Sequence, residues 1–222
     1  MNRFSPRWRL LGIGLTVALS AAAIALTLGV GTASAANPLG VAVTSPGAAT
    51  PPNVLGGYSM RSLPTIDPFN AQFATVCGLD VIQWTGCASL RKVGSGWASW
   101  SHGYTGDVYF CSTGCPGDIW TVNLPANTNA FSFDVESNNF NPTAPATGFT
   151  FIVDATGANA PGATTAVTIA PNRISSARYV GFYSKAPGRA SLIQSLKITC
   201  LGNCGGFAIG EFKINQAKLI NP

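Results

Sequence analysis

The sequence predicts an all-β protein, an antiparallel two-sheet β-sandwich, on three observations. Short runs rich in β-branched and aromatic residues alternate with Gly/Pro/Asn/Asp turn clusters at the spacing of sandwich strands. Phe131, Phe133 and Val135 alternate with Ser132, Asp134 and Glu136, and Phe149, Phe151 and Val153 repeat the alternation. Beyond the first 36 residues no stretch carries a convincing 3.6-residue apolar period.

The amino terminus is a segment of another kind. Arg3, Arg7 and Arg9 precede a run from Leu10 to Val30 that contains no charged residue, and Ala33-Ser34-Ala35 follows. A positive start, an apolar centre and small residues at −3 and −1 are the grammar of a cleavable secretory signal, so residues 1–35 are expected to be removed after Ala35. The apolar run is also long enough to span a bilayer, and the small-residue site favours cleavage over anchoring. With the three signal arginines gone, ten basic residues face eight acidic ones, a net charge of only +2. The clustered basic face that nucleic-acid binding requires is absent. Charged residues are 9% of the chain, so Thr, Ser, Asn and Gly supply most of the polar surface.

Residues 36–57 are rich in Pro, Ala, Gly and Thr and read as a flexible or irregular arm, which leaves residues 58–222 as the folded domain. Strands are expected over 97–101 and 107–111, around a Gly-Tyr-Thr-Gly turn, then over 119–124 and 130–136. Further strands are expected around 149–153, 166–169, 179–183, 192–199 and 207–214, and a weak helix over 69–75. In the last strand the parity changes: Phe207 and Ile209 share a face, while Phe212 and Ile214 have the opposite parity. A bulge at Gly210 would turn all four inward and Glu211 and Lys213 outward; without it Glu211 would be driven into the core at high cost.

Six cysteines in an exported chain point to disulfides. The simplest pairing closes each local loop: Cys77 with Cys87, Cys111 with Cys115, and Cys200 with Cys204. A zinc site from the two C-x3-C pairs is the weaker alternative, because zinc motifs are usually spaced more tightly.

Chemistry-bearing residues are few. His102 is the only histidine. Ser101 beside it does not make a nucleophile–base pair, because neighbours on a strand point to opposite faces. Asp134 and Glu136 share a strand face, which suits a solvated polar face better than an acid pair facing across a cleft. Asp107, Asp134 and Glu136, with Asn138 or Asn139, offer oxygen ligands for a structural calcium ion. Trp97, Trp100, His102, Tyr104 and Tyr109 crowd one span, with Asp107 and Glu136 as polar neighbours. Exposed Trp and Tyr rings are the usual platform for sugars. Strand parity puts Trp97 and Trp100 on opposite faces, one in the core and one exposed.

The run from Gly96 to Phe110, GWASWSHGYTGDVYF, together with AFSFDVE at 130–136, YVGFY at 179–183 and FAIGEF at 207–212, resembles uncharacterised secreted bacterial β-sandwich proteins of the PEP-CTERM group. The resemblance covers roughly residues 94–214 and implies a jelly-roll, galactose-binding-like sandwich with no established activity. The Val-Pro-Glu-Pro motif, membrane tail and arginine cluster of that group do not occur here, which favours free secretion.

Three classes of function follow. A non-catalytic module for extracellular polysaccharide or surface glycan, using Trp97, Trp100, His102, Tyr104, Asp107 and Glu136, leads. A structural or adhesion protein acting through protein contacts comes second. A secreted hydrolase comes last, because it needs two convergent carboxylates, or a nucleophile near His102, and the sequence offers least for it.

Overall fold

The computed structural model describes residues 39–43, 50–66, 73–111, 119–139, 146–156, 163–167, 177–185 and 192–216. The signal segment, Cys115 and most of the weak helix candidate lie outside the described residues. Those residues form strands and connections, and no helix occurs among them.

The strands in chain order are β1 (Leu39–Val43), β2 (Val54–Leu55), β3 (Tyr58–Ser59), β4 (Arg61–Ser62), β5 (Thr75–Leu79), β6 (Ile82–Lys92) and β7 (Asp107–Cys111). They continue with β8 (Ile119–Asn123), β9 (Thr128–Ser137), β10 (Ala146–Thr156), β11 (Ala163–Val167), β12 (Arg178–Ser184), β13 (Leu192–Gly202) and β14 (Phe207–Gln216). One antiparallel sheet runs β1-β12-β9-β14-β7-β6-β8-β13-β10-β11, with β4 added on β14 and β5 on β6. It curls so that its two halves face each other. Phe133 of β9 meets Phe151 of β10 at 5.9 Å between ring centroids, Trp84 of β6 meets Phe212 of β14 at 6.4 Å, and Trp120 of β8 meets Phe207 of β14 at 6.1 Å. These rings fill the space between the layers of a sandwich-like fold.

The alternation on β9 and β10 holds: Phe131, Phe133, Val135, Phe149, Phe151 and Val153 all enter the core. The bulge on β14 is also present. Pairing with β9 shifts register between Gly210 and Lys213, and Phe207, Ile209, Phe212 and Ile214 all face inward. Glu211, the extra residue, has φ +54°.

Several elements differ from expectation. Residues 97–101 are not a strand; Trp97 makes only an isolated bridge to Val93 inside a long connection between β6 and β7. The aromatic content of this stretch resembles a strand, but Gly94 at φ +85° and Gly103 at φ +76° fold it into consecutive turns. Leu39–Val43, expected in the arm, pairs along its whole length with β12. The eleven-residue β6 was not anticipated, although Ile82, Trp84, Ala88 and Leu90 follow a period of two and are buried.

Cys77–Cys87 and Cys200–Cys204 are bonded as expected. Cys111 is disulfide-bonded too. No described cysteine is free, which fits an oxidising compartment. No described helix is long and apolar enough to cross a membrane.

Candidate functional site

The outer face of β9 and β14 is roofed rather than solvated. Ser132, Asp134 and Glu136 point away from the core, as alternation requires, yet all three are buried. At one end Lys213 is covered by residues 51–53: its Nζ donates to Pro51 O at 2.6 Å and Asn53 Oδ1 at 2.8 Å. At the other end residues 93–106 fold over the sheet. Val93, Trp97, Trp100, Val108, Ala177 and Ala208 form a second apolar cluster there, with Tyr104 and Phe110 against it.

That connection is fastened to three carboxylates by its own side chains. Trp97 Nε1 donates to Glu136 Oε2 at 2.7 Å, and Ser99 Oγ donates to Glu136 Oε1 at 2.9 Å. Ser101 Oγ donates to Asp134 Oδ2 at 3.0 Å, and Trp100 Nε1 to Glu211 Oε2 at 2.8 Å. His102 Nε2 lies 2.9 Å from the same Glu211 oxygen. Gly210 is what lets Trp100 come so close, since a Cβ there would meet the indole at 3.2 Å and Asp107 O at 3.1 Å.

The local sequence explains the placement of His102. Ser101-His102-Gly103-Tyr104 is a tight turn closed by Tyr104 N–H to Ser101 O at 3.0 Å, with φ +42° at His102 and +76° at Gly103. Both central residues are left-handed, the type I′ pattern. Tyr104 OH then caps the connection by donating to Asp107 O at 2.9 Å. On the opposite side the bulge projects Glu211 from β14 between Gly210, which pairs with Asp134, and Lys213, which pairs with Ser132. His102 and Glu211 are thus touching non-glycine residues that both hold left-handed backbone, at a cost of order 1–3 kcal/mol each.

The result is a compact group of three donor side chains, His102, Asp134 and Glu211, whose ligating atoms all lie within 4.8 Å of one another. The side chains of His102 and Glu211 are 14% and 7% exposed, so the group is nearly dry, with His102 at its wetter edge. Burial, and then the neighbouring Glu211 charge, push the Asp134 carboxyl up to about 7; Ser101 and His102 oppose this. Burial raises Glu211 to about 7 against the Trp100 hydrogen bond and the charge of Lys213. Burial also pushes the phenols of Tyr104 and Tyr179 upward. A cavity of about 390 Å3 lined by Gly56, Gly57, Tyr58, Tyr183, Ser184 and Lys185 contains none of these residues.

The aromatic and metal expectations are both revised by this geometry. Trp97 and Trp100 are 5% and 7% exposed, on the same side of the sheet. Strand parity does not apply to them because they lie in turns. Asp134 is grouped with His102 and Glu211 rather than with Asp107 and Glu136, and Glu136 is engaged by Trp97 and Ser99. Ser101 and His102 do not pair with each other; each meets a different carboxylate. The sequence marks Glu211 only as the outward residue of a bulge. Its parity change was the signal that could have marked it.

No protein-family model matches the chain. No curated protein matches it. Among solved structures the fold is similar to that of the Stig cyclase Fisc from Fischerella sp. TAU, crystallised with (3Z)-3-(1-methyl-2-pyrrolidinylidene)-3H-indole. The identity is 14% and the TM-score 0.38, over 72% of this chain and 100% of that one. The expectation of a non-catalytic polysaccharide-binding module is corrected here. The Trp97 and Trp100 ring faces that a glycan would stack on are buried in the second cluster.

Proposed function

We propose that the domain is a secreted enzyme of the hydrolase class, with His102, Asp134 and Glu211 as its working groups. The observation that carries the proposal is the convergence of an imidazole and two carboxyl groups, from a turn, β9 and β14, within 4.8 Å. Convergent carboxyl groups held by different elements are one arrangement by which hydrolases work, and here both His102 and Glu211 are held on left-handed backbone. One carboxyl group in its acid form protonates a leaving group while the other, as a carboxylate, accepts a proton from water. Substrate would enter at the His102 edge. The signal grammar and the disulfides support secretion.

The test is a panel of chromogenic esters, amides and glycosides, offered to disulfide-intact protein from Ala36 onward between pH 4 and 9. Turnover that falls at least 100-fold in kcat/KM in both Asp134→Asn and Glu211→Gln is expected. Absence of turnover on every class, or turnover indifferent to both substitutions, overturns the proposal.

A further inference from the structure

We infer that His102, Asp134 and Glu211 form a binding site for a divalent first-row transition-metal ion. The inference rests on the same three side chains as the proposed enzyme: an ion held by both carboxyl groups would displace the proton they share and take over the activation of water, and metal binding is measurable whether or not any substrate is turned over.

The donor set is one imidazole nitrogen and two carboxylate oxygens from three separate chain segments. Ligands about 2.1 Å from an ion lie about 3.0 Å apart at right angles and about 3.4 Å apart in a tetrahedron. The 2.9 Å separation of His102 Nε2 and Glu211 Oε2 has the length of one such edge. The other pairs lie within 4.8 Å and would have to draw together for an ion to be enclosed, with water in the positions the protein leaves open.

A second observation points to a ligand independently. Asp134 is 2% exposed; Ser101 serves its Oδ2, while its buried Oδ1 meets no donor other than the Glu211 carboxyl and is left with none once both carboxyl groups are ionised. A buried carboxylate oxygen without a donor is unfavourable. Lys213, whose charge acts on both carboxylates, does not supply the contact, because its ammonium is directed to Pro51 O and Asn53 Oδ1. A cation among the three side chains would supply it.

The surroundings also suit a metal site. Trp100 Nε1 and Ser101 Oγ each hold one carboxylate from outside the cluster, the role that outer hydrogen bonds play in orienting metal ligands. The ligand types select the metal. Imidazole with carboxylates suits zinc, manganese, iron or cobalt, whereas calcium takes six to eight oxygens and magnesium keeps a near-ideal oxygen octahedron.

The experiment uses the disulfide-intact protein, stripped with chelator and dialysed. Zinc is titrated calorimetrically, cobalt is followed by its visible absorption, and calcium serves as the comparison. One equivalent of zinc is expected, binding at least 100-fold more tightly than calcium, with cobalt d–d bands appearing at the same stoichiometry. His102→Asn keeps a residue that tolerates left-handed backbone and is expected to weaken zinc at least 100-fold. Trp100→Phe leaves all three ligands in place and is expected to weaken it by about 10-fold through the lost outer hydrogen bond. Absence of stoichiometric zinc or cobalt binding overturns the inference, as does binding that is unchanged in His102→Asn and Glu211→Gln. Zinc bound without turnover removes only the enzyme proposal. Turnover by protein that binds no metal removes only this one.

Discussion

Replacing Trp97 with Phe tests whether residues 93–106 are held down by the carboxylates or merely rest on the second apolar cluster. The substitution keeps an aromatic ring against Phe110, whose centroid is 5.3 Å from that of Trp97, and deletes the indole N–H that reaches Glu136 Oε2 at 2.7 Å. A hydrogen bond to a charged group contributes about 1.5–3 kcal/mol, and the smaller ring leaves a void that adds about 1 kcal/mol. The expected loss is therefore about 3 kcal/mol, which for a domain of this size lowers Tm by about 6–12 °C. The assay is urea unfolding of the disulfide-intact protein, run with Trp97→Phe, Glu136→Gln and the double variant. If the reasoning is right, the cycle shows a coupling of at least about 1 kcal/mol, because the two groups share one buried bond. Strictly additive losses, or a single-variant loss below about 0.5 kcal/mol, would show that the connection is held by packing alone.

Asp134 and Glu211 have folded-state values near 7, above the roughly 4 of unfolded carboxyl groups, so the native state binds their protons more tightly. The sign follows: stability contributed by protonation is present below about pH 4 and is lost as pH rises toward 7. His102, Ser101, Tyr179 and Lys213 face the same pair, and only the pair itself is altered in the control. Tm of metal-free protein should thus fall between pH 4.5 and 8, more steeply than in Asp134→Asn/Glu211→Gln; parallel curves would refute this. Gly56→Ala should destabilise by more than about 2 kcal/mol, because a Cβ there overlaps the Tyr183 ring and the residue sits at φ +60°, and urea midpoints will report it. Removing the Cys200–Cys204 bridge as a double serine variant should cost about 2 kcal/mol in the loop-entropy model, measurable by the same unfolding curves.

The parts of the fold legible in the sequence were those governed by local periodicity. The inward rings of β9 and β10 follow from alternation alone, and the bulge at Gly210 follows from the broken parity of Phe207, Ile209, Phe212 and Ile214. The local cysteine spacings gave the two described bridges. What failed was anything decided by a distant segment. Ser132, Asp134 and Glu136 look like a solvated face because what roofs that face comes from residues 93–106 and, over Lys213 beside Ser132, from residues 51–53. The meeting of His102 with Glu211 spans 109 residues, and no period in the chain records it. Trp97 and Trp100 were misplaced for a related reason: parity holds only on a strand, and two glycines with positive φ turn this segment into something else. The pairing of Leu39–Val43 with β12 was hidden by its setting: Val41 and Val43 carry strand signal, but they lie in a stretch rich in Pro, Ala, Gly and Thr.

The single extra residue in β14 ties two otherwise separate histories together. Upstream of it the strand presents Phe207 and Ile209 to the interior, downstream Phe212 and Ile214, and Glu211 is the residue left over. A one-codon deletion here would not simply shorten the strand. It would remove the side chain that faces Asp134 and, in the same stroke, either expel Phe212 and Ile214 from the interior or force the pairing with β9 to slip. A substitution here would alter the site or the hydrophobic interior one residue at a time, whereas a change of length would alter both at once.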